Sequence, residues 1–195
     1  MRKIIDKVFQ LSFQDKSMFL SPPLPVSEAV HINLSFNGKP RGKSWKPVKI
    51  EMVKFDEFKK PLIQSDIMDC FGAGFAFGSN VKERIGKTLE QFGEILPLDC
   101  PETKFWVFNP TIVLDALDED NSDVERFSPG GRIMFFKKYF FRPEILVGKF
   151  LFLINQRPTG PTFATESFAE LIKVNKFTGL DFMEVWPSDK RPFKW

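Results

Sequence analysis

A chain of 195 residues with 43% apolar and 27% charged residues has the usage of a folded globular protein. That usage excludes intrinsic disorder and leaves room for one core with at most a small appendage. A formal net charge of +3 is too small to hold the chain on nucleic acid against physiological salt, and 24 Phe against one Tyr assign most aromatic burial to rings without a polar handle.

In the N-terminal stretch MRKIIDKVFQLSFQDK, Asp6 and Lys7 interrupt the apolar run, so it does not read as a signal sequence. No later run reaches the length of a membrane span, and a cytoplasmic protein is the expectation. Residues 4–20 alternate weakly and fit either one strand or a short helix. Ser21–Pro25, with three prolines, is a rigid break. Glu28–Phe36 and Val48–Phe58 mix apolar and charged residues at partly alternating positions, and Asn37-Gly38 between them is a hairpin signal, although the connection is long for one. That connection is basic: Lys39, Arg41, Lys43, Lys46 and Lys49 surround Trp45. The first reading is a solvated loop, and the alternative is a nucleic-acid-binding module that grips phosphates and bases.

Phe71–Ser79 is rich in glycine but has neither the GxGxxG spacing nor a Walker sequence, so it reads as pliable backbone before a strand. A helix is then predicted with Ser79 as its cap, Val81, Ile85, Leu89 and Phe92 on one face and Gly93 as its stop, after which Ile95-Leu96 leave toward Pro97. Phe105–Phe108 is a short aromatic strand, Asn109-Pro110 a turn, and Ile112–Leu114 a further extended piece. Acidic residues follow densely: Asp115, Asp118, Glu119, Asp120, Asp123 and Glu125. An EF-hand fails here, because its sixth position is Asp123 and its twelfth Pro129. The run is either a solvated loop or a negative face for a basic partner.

Ser128–Gly131 predicts a turn, Arg132–Phe141 an aromatic and basic strand, and Ile145–Ile154 a central strand covered on both faces. In Phe163–Trp186, Ser167 and Glu170 make a capping box. Phe168, Leu171, Ile172 and Val174 supply an apolar face, Gly179 ends the helix, and Leu180–Trp186 is an exit strand. The tail Pro187–Trp195 is polar apart from Phe193 and Trp195. Both helical stretches share one grammar of strand, serine, helix, glycine and strand, and two copies are too few for a solenoid. The expected fold is α+β, a mostly antiparallel sheet with two Ser-capped helices packed on it. Residues 1–195 read as one domain, with 1–60 as a variable β-rich part and 61–195 as the core.

Catalytic chemistry is sparse. His31, the one histidine, lies among alternating apolar residues and reads as a half-buried structural imidazole with no nucleophile beside it. Cys70 and Cys100 lack the second pair that a metal motif needs, and buried thiols are expected. Asp66 and Asp69 are the nearest thing to an acid–base pair. Neither cofactor nor metal is implied.

An ordered set of pieces nevertheless resembles a bacterial family of immunity proteins from polymorphic toxin systems. The pieces are Ser65-Asp66; Ser79 with Glu83 and Ile85; Phe108-Asn109-Pro110 followed by Leu114–Asp118; the stretch Ile145–Ile154; and the Ser167 helix closing with Thr178-Gly179-Leu180 and Val185-Trp186. The resemblance runs from about residue 65 to 186. It implies a non-enzymatic protein that binds and blocks a cognate secreted or contact-delivered toxin in interbacterial competition, type VI secretion being one such delivery route. Such a partner is expected to meet Asp118, Glu119, Asp120, Asp123 and Glu125, and residues 1–60, outside the resemblance, are where partner specificity is expected.

Overall fold

A computed structural model describes residues 5–187 apart from 73, 129, 130 and 132, and leaves out the side chains of 29, 32 and 33. The tail after Pro187 and part of the turn predicted at 128–131 therefore lie outside the described residues. In chain order the elements are β1 (Val8–Phe13), β2 (Phe19–Ser21), α1 (Glu28–Leu34), β3 (Glu51–Val53), β4 (Ile67–Asp69), β5 (Phe75–Phe77), α2 (Ser79–Leu89), β6 (Gly93–Pro97), β7 (Trp106–Pro110) and β8 (Val113–Leu114). There follow β9 (Asp123–Arg126), β10 (Ile133–Lys138), α3 (Pro143–Leu146), β11 (Leu151–Ile154), β12 (Phe163–Thr165), α4 (Glu166–Asn175) and β13 (Leu180–Trp186). The fold is α+β: β1-β12, β2-β3, β4-β5, β5-β7, β6-β7, β9-β10 and β11-β12 pair antiparallel, and β11 pairs parallel with β8. Among the described residues no helix is long and apolar enough to cross a membrane.

The chain forms two compact units that interleave in sequence. A middle unit comprises Phe13–Thr111 and Asn175–Asp181, and a terminal unit comprises the residues up to Ser12, Ile112–Val174 and those from Phe182.

In the middle unit four strands run in the order β4-β5-β7-β6. The helix α2 buries Val81, Ile85 and Leu89, one residue per turn along a single face, which is the periodicity of an amphipathic helix on a sheet. Gly93 opens β6 where a Cβ would strike the Asn109 carbonyl and lie 2.7 Å from the Phe108 ring. This close approach, rather than the end of a helix, is what demands glycine. Leu20, Ile50, Met68, Cys70, Ala76 and Val107 fill the core beneath.

The terminal unit has a five-stranded sheet ordered β13-β1-β12-β11-β8 and the separate hairpin β9-β10. All four residues of β11 are buried, as befits a strand with neighbours on both sides. Phenylalanines form its core: Phe141 meets Phe163 at 5.4 Å and Phe152 at 5.9 Å between ring centroids, and Tyr139 stacks on Phe136 at 4.7 Å.

The grammar repeated in the sequence has a topological counterpart. In the middle unit β4 pairs with β5, α2 follows, and β6 returns on the far side of β7. In the terminal unit β11 pairs with β12, α4 follows, and β13 returns on the far side of β1. The strand between the two arms comes directly after β6 in one unit and from the start of the chain in the other.

Several local expectations are corrected. Ser79 is the first residue of α2, and Gly78, extended at φ −87° and ψ −173°, holds the cap position with no side-chain bond. Likewise Ser167 lies inside α4, which starts at Glu166 directly after β12, so neither helix is capped by the serine assigned to it. Val174 is 67% exposed; the buried stripe of α4 is Phe168 and Ile172. Lys176, at φ +57°, is the left-handed residue after the helix.

Glu28–Phe36 is not a strand. Ser27 precedes α1 at its N-cap position, and Val30 with Leu34 has the four-residue spacing of a helix face. The expected hairpin therefore does not form, and β3 pairs with β2 instead. Asn37-Gly38 still turns, with Gly38 at φ +81° and Lys39 N–H donating to Asn37 Oδ1. Asn109-Pro110 belongs to β7, where Pro110 stands at the strand end opposite Gly93, a place where its missing N–H is tolerated. The strand expected over Ile145–Ile154 is split, because Pro143 opens α3 and Gly148 turns at φ +76°. Of the stretch expected to be one strand or a short helix, the described residues 5–20 contain β1 and the start of β2.

Candidate functional site

The acidic run of the terminal unit is an ordered turn that leads into the β9-β10 hairpin. Asp118 folds back on the turn it begins: its Oδ1 accepts from Asn121 N–H at 3.2 Å and its Oδ2 from Asn121 Nδ2 at 2.8 Å. Those bonds, from the Asn121 side chain foremost, outweigh desolvation and hold its pKa below the ordinary aspartate value. Ser122 Oγ donates to the Asp118 carbonyl and accepts from Phe140 N–H, which ties the turn to the segment after β10.

The carboxylates after it differ in their freedom. Glu119 pairs with Arg126 at 2.6 Å and Glu125 with Lys137 at 2.7 Å. Asp120 and Asp123 are exposed and carry no ion pair among the described residues. Asp115, the sixth acid of the run, accepts from Asn155, Arg142 and Gln156. These bonds, with that from Asn155 the largest, keep its pKa low. Arg142 also donates to the Leu117 carbonyl at 3.0 Å and stands in a polar cleft of about 360 Å³ that Asp115, Asp118, Glu119, Asp120 and Gln156 share. Arg142 is not legible from the sequence, because it lies far along the chain from Asp115, the acid with which it pairs.

A second cleft, of about 620 Å³, opens beside β10. Met134, Phe135, Phe136, Tyr139 and Pro161 line it with apolar surface, and Gln10 and Arg157 add polar groups. Burial raises the Tyr139 pKa, so the phenol stays protonated. Gln10 is 4% exposed, and the one polar letter of the apolar run Val8–Leu11 was the signal that could have found it.

In the middle unit the basic loop is organised by one carboxylate. Glu94 accepts from Arg41 N–H at 2.6 Å, Gly42 N–H at 2.8 Å and Asn109 Nδ2 at 2.8 Å, and Asn109 Nδ2 also donates to the Lys39 carbonyl. Burial works against this carboxylate, but the two backbone bonds, Asn109 and the Arg41 charge together bring its pKa below the ordinary glutamate value. Arg41 donates to the Ser35 carbonyl and lies over the Phe36 ring. Trp45 Nε1 donates to the Pro97 carbonyl at 2.8 Å, and its ring packs beside Phe36. Arg41 and Trp45 are thus bound to the loop's own support, while Lys39, Lys43, Lys46 and Lys49 are exposed.

The remaining candidates serve structure. Asp66 Oδ2 accepts from the Thr178 N–H and hydroxyl, and Asp66 N–H donates back to Thr178 Oγ1. Asp69 accepts from Gly72 N–H in the turn between β4 and β5. Burial raises its pKa, and the backbone bonds only partly offset this. Burial pushes the Cys70 thiol up to about 12, too high for a nucleophile at neutral pH, and Cys100 is half-buried and free. His31 is exposed, not half-buried, because the helical turn of α1 carries it outward, with Phe71 5.4 Å from its ring. Among the described residues no group of three or more His, Cys, Asp or Glu side chains is placed to hold a metal ion.

Comparison with curated proteins yields no match. Residues 99–186, a little under half of the chain, contain the acidic turn, the β9-β10 hairpin, α4 and β13, and the resemblance read from Ser65 onward is carried by this shorter stretch. Over residues 99–186 the chain matches the immunity protein family Imm11.

Proposed function

We propose that this protein is the immunity partner of a bacterial toxin from a polymorphic toxin system. It binds the toxin in the cytoplasm and neutralises it by occupying its surface, with no reaction at its own side chains. The match to the Imm11 family is the observation that carries this reading. In support, Asp66 and Asp69 are engaged in structural hydrogen bonds, Cys70 is a buried thiol, and His31 is exposed without a partner set. Protection at low concentration calls for nanomolar affinity, on the order of −12 kcal/mol, over an interface of about 1,600 Å².

The acidic turn is the proposed contact. Of Asp118, Glu119, Asp120, Asp123 and Glu125, the last and Glu119 are already neutralised by Lys137 and Arg126, and Asp118 is turned onto Asn121. Asp120 and Asp123 therefore project most of the field that a basic toxin surface meets, and their main effect falls on the association rate. The test is co-expression with the toxin encoded by the adjacent gene, followed by binding of the purified pair at low and high salt. Cells survive with the wild-type protein. Changing all five acids to amides slows association about tenfold at low salt and flattens the salt dependence, and Asp120→Asn with Asp123→Asn reproduces most of that. Death of co-expressing cells overturns the immunity reading; survival with unchanged low-salt kinetics removes the acidic turn from the interface.

The basic loop at 39–49 supports a nucleic-acid reading less well, since Arg41 and Trp45 are turned to the loop's own support. Its four exposed lysines remain, and a gel shift with mixed oligonucleotides at moderate salt tests them.

A further inference from the structure

The 620 Å³ cleft beside β10 falls within the range of about 300–1,000 Å³ that takes a specific organic group. Its lining also specifies what kind of group. Gln10 lines the cleft, and its Oε1 is buried with no hydrogen-bond partner among the described residues, so a small turn of this side chain gives the cleft an acceptor that lacks a donor. Leaving such an atom unmet costs its full desolvation penalty, which an occupant with one N–H recovers. Met134, Phe135, Tyr139 and Pro161 offer it apolar walls. Arg157, exposed at the same cleft and anchored by its bond to the Met134 carbonyl at 3.3 Å, offers a cation to an electron-rich ring face.

An indole meets all three conditions. It is apolar, its single polar atom donates and never accepts, and its face is the best of the aromatic side chains for a cation. We infer that this cleft receives a tryptophan side chain of the partner protein, its indole N–H donated to Gln10 Oε1 and its ring held between the apolar walls and Arg157. The identity of the partner rests on the immunity reading; the chemistry of the cleft does not. A buried aromatic anchor in a desolvated pocket is the usual form of an interface hot spot, and β10 joins this cleft to the acidic strand β9 by direct pairing.

The test uses the full chain and N-acetyl-tryptophanamide, followed by amide chemical shifts and calorimetry. Its comparison is the benzothienyl analogue, in which sulfur replaces the indole nitrogen and the donor is lost. The tryptophan amide binds saturably, with shifts centred on Met134 and Phe135, and the analogue binds roughly three- to tenfold more weakly, the net worth of one hydrogen bond. Gln10→Leu abolishes that preference. Arg157→Gln, on an exposed side chain that leaves the fold intact, weakens both ligands alike. No saturable binding at millimolar concentration, or equal binding of the two ligands to the wild type, overturns the inference. Saturable binding without protection in the co-expression assay sinks only the immunity reading, and protection without binding sinks only the tryptophan site.

Discussion

Replacing Glu94 with alanine tests whether one carboxylate holds the basic loop. Three donors lose their acceptor at once: Arg41 N–H, Gly42 N–H and Asn109 Nδ2. A hydrogen bond to a charged group contributes about 1.5–3 kcal/mol. The Gly42 bond is exposed, where water replaces the lost acceptor, whereas the other two are partly buried. Asn109 is fully buried, and its Oδ1 already lacks a partner, so its amide cannot turn to a better arrangement without loss. The expected cost of Glu94→Ala is therefore about 3–6 kcal/mol, the worth of two bonds to a charged group. Urea denaturation measures it, and hydrogen exchange locates it, with protection lost at the Arg41 and Gly42 amides. A loss below about 0.5 kcal/mol, the scale of an ordinary surface change, together with unchanged protection of those amides, would refute the account of the loop.

The same group sets a pH dependence. Because the folded pKa of Glu94 is depressed, its contribution is fully present above the ordinary glutamate value of 4.5 and is lost as pH falls through the folded value. The stability difference between wild type and Glu94→Gln should accordingly shrink on acidification below pH 4.5, and a difference that stays constant or grows contradicts the assignment. Gly179, at φ +103°, has Ser65 Cβ 2.8 Å from where its own Cβ would sit and the Ile67 carbonyl closer still. Strain of about 1–3 kcal/mol adds to that collision, so Gly179→Ala should cost about 3 kcal/mol or more and lower Tm by roughly 6–12 °C; a loss under about 1 kcal/mol shows that the turn relaxes freely.

What the sequence disclosed was mostly local. The one-face periodicity of Val81, Ile85 and Leu89 is a property of neighbours in the chain, and α2 follows from it; so does β13 from the alternation of Leu180–Trp186. The misreadings arose where two local signals coexist. Glu28–Leu34 alternates and also carries a four-residue spacing, and packing decides for the helix. Ile145–Ile154 is apolar throughout, so composition hid the division that Pro143 and Gly148 impose. The acidic run was visible as composition, but not that Arg126 and Lys137 neutralise two of its members. Those pairs depend on the β9-β10 register and bulges, which no window of sequence contains. Glu94, Asn109 and Gln10 were missed for the same reason, since a buried polar residue is recognised by what surrounds it in space.

The placement of β1 bears on how the molecule is made. Val8–Phe13 is synthesised well before its sheet neighbours β12 and β13, which lie between residues 163 and 186. This strand therefore waits without a sheet partner while the residues between are made, and a nascent chain halted short of β12 cannot complete its sheet. Pairing over so long a separation is slow to nucleate, so a chaperone that holds Val8–Phe13 until β12 is available raises the yield of folded protein.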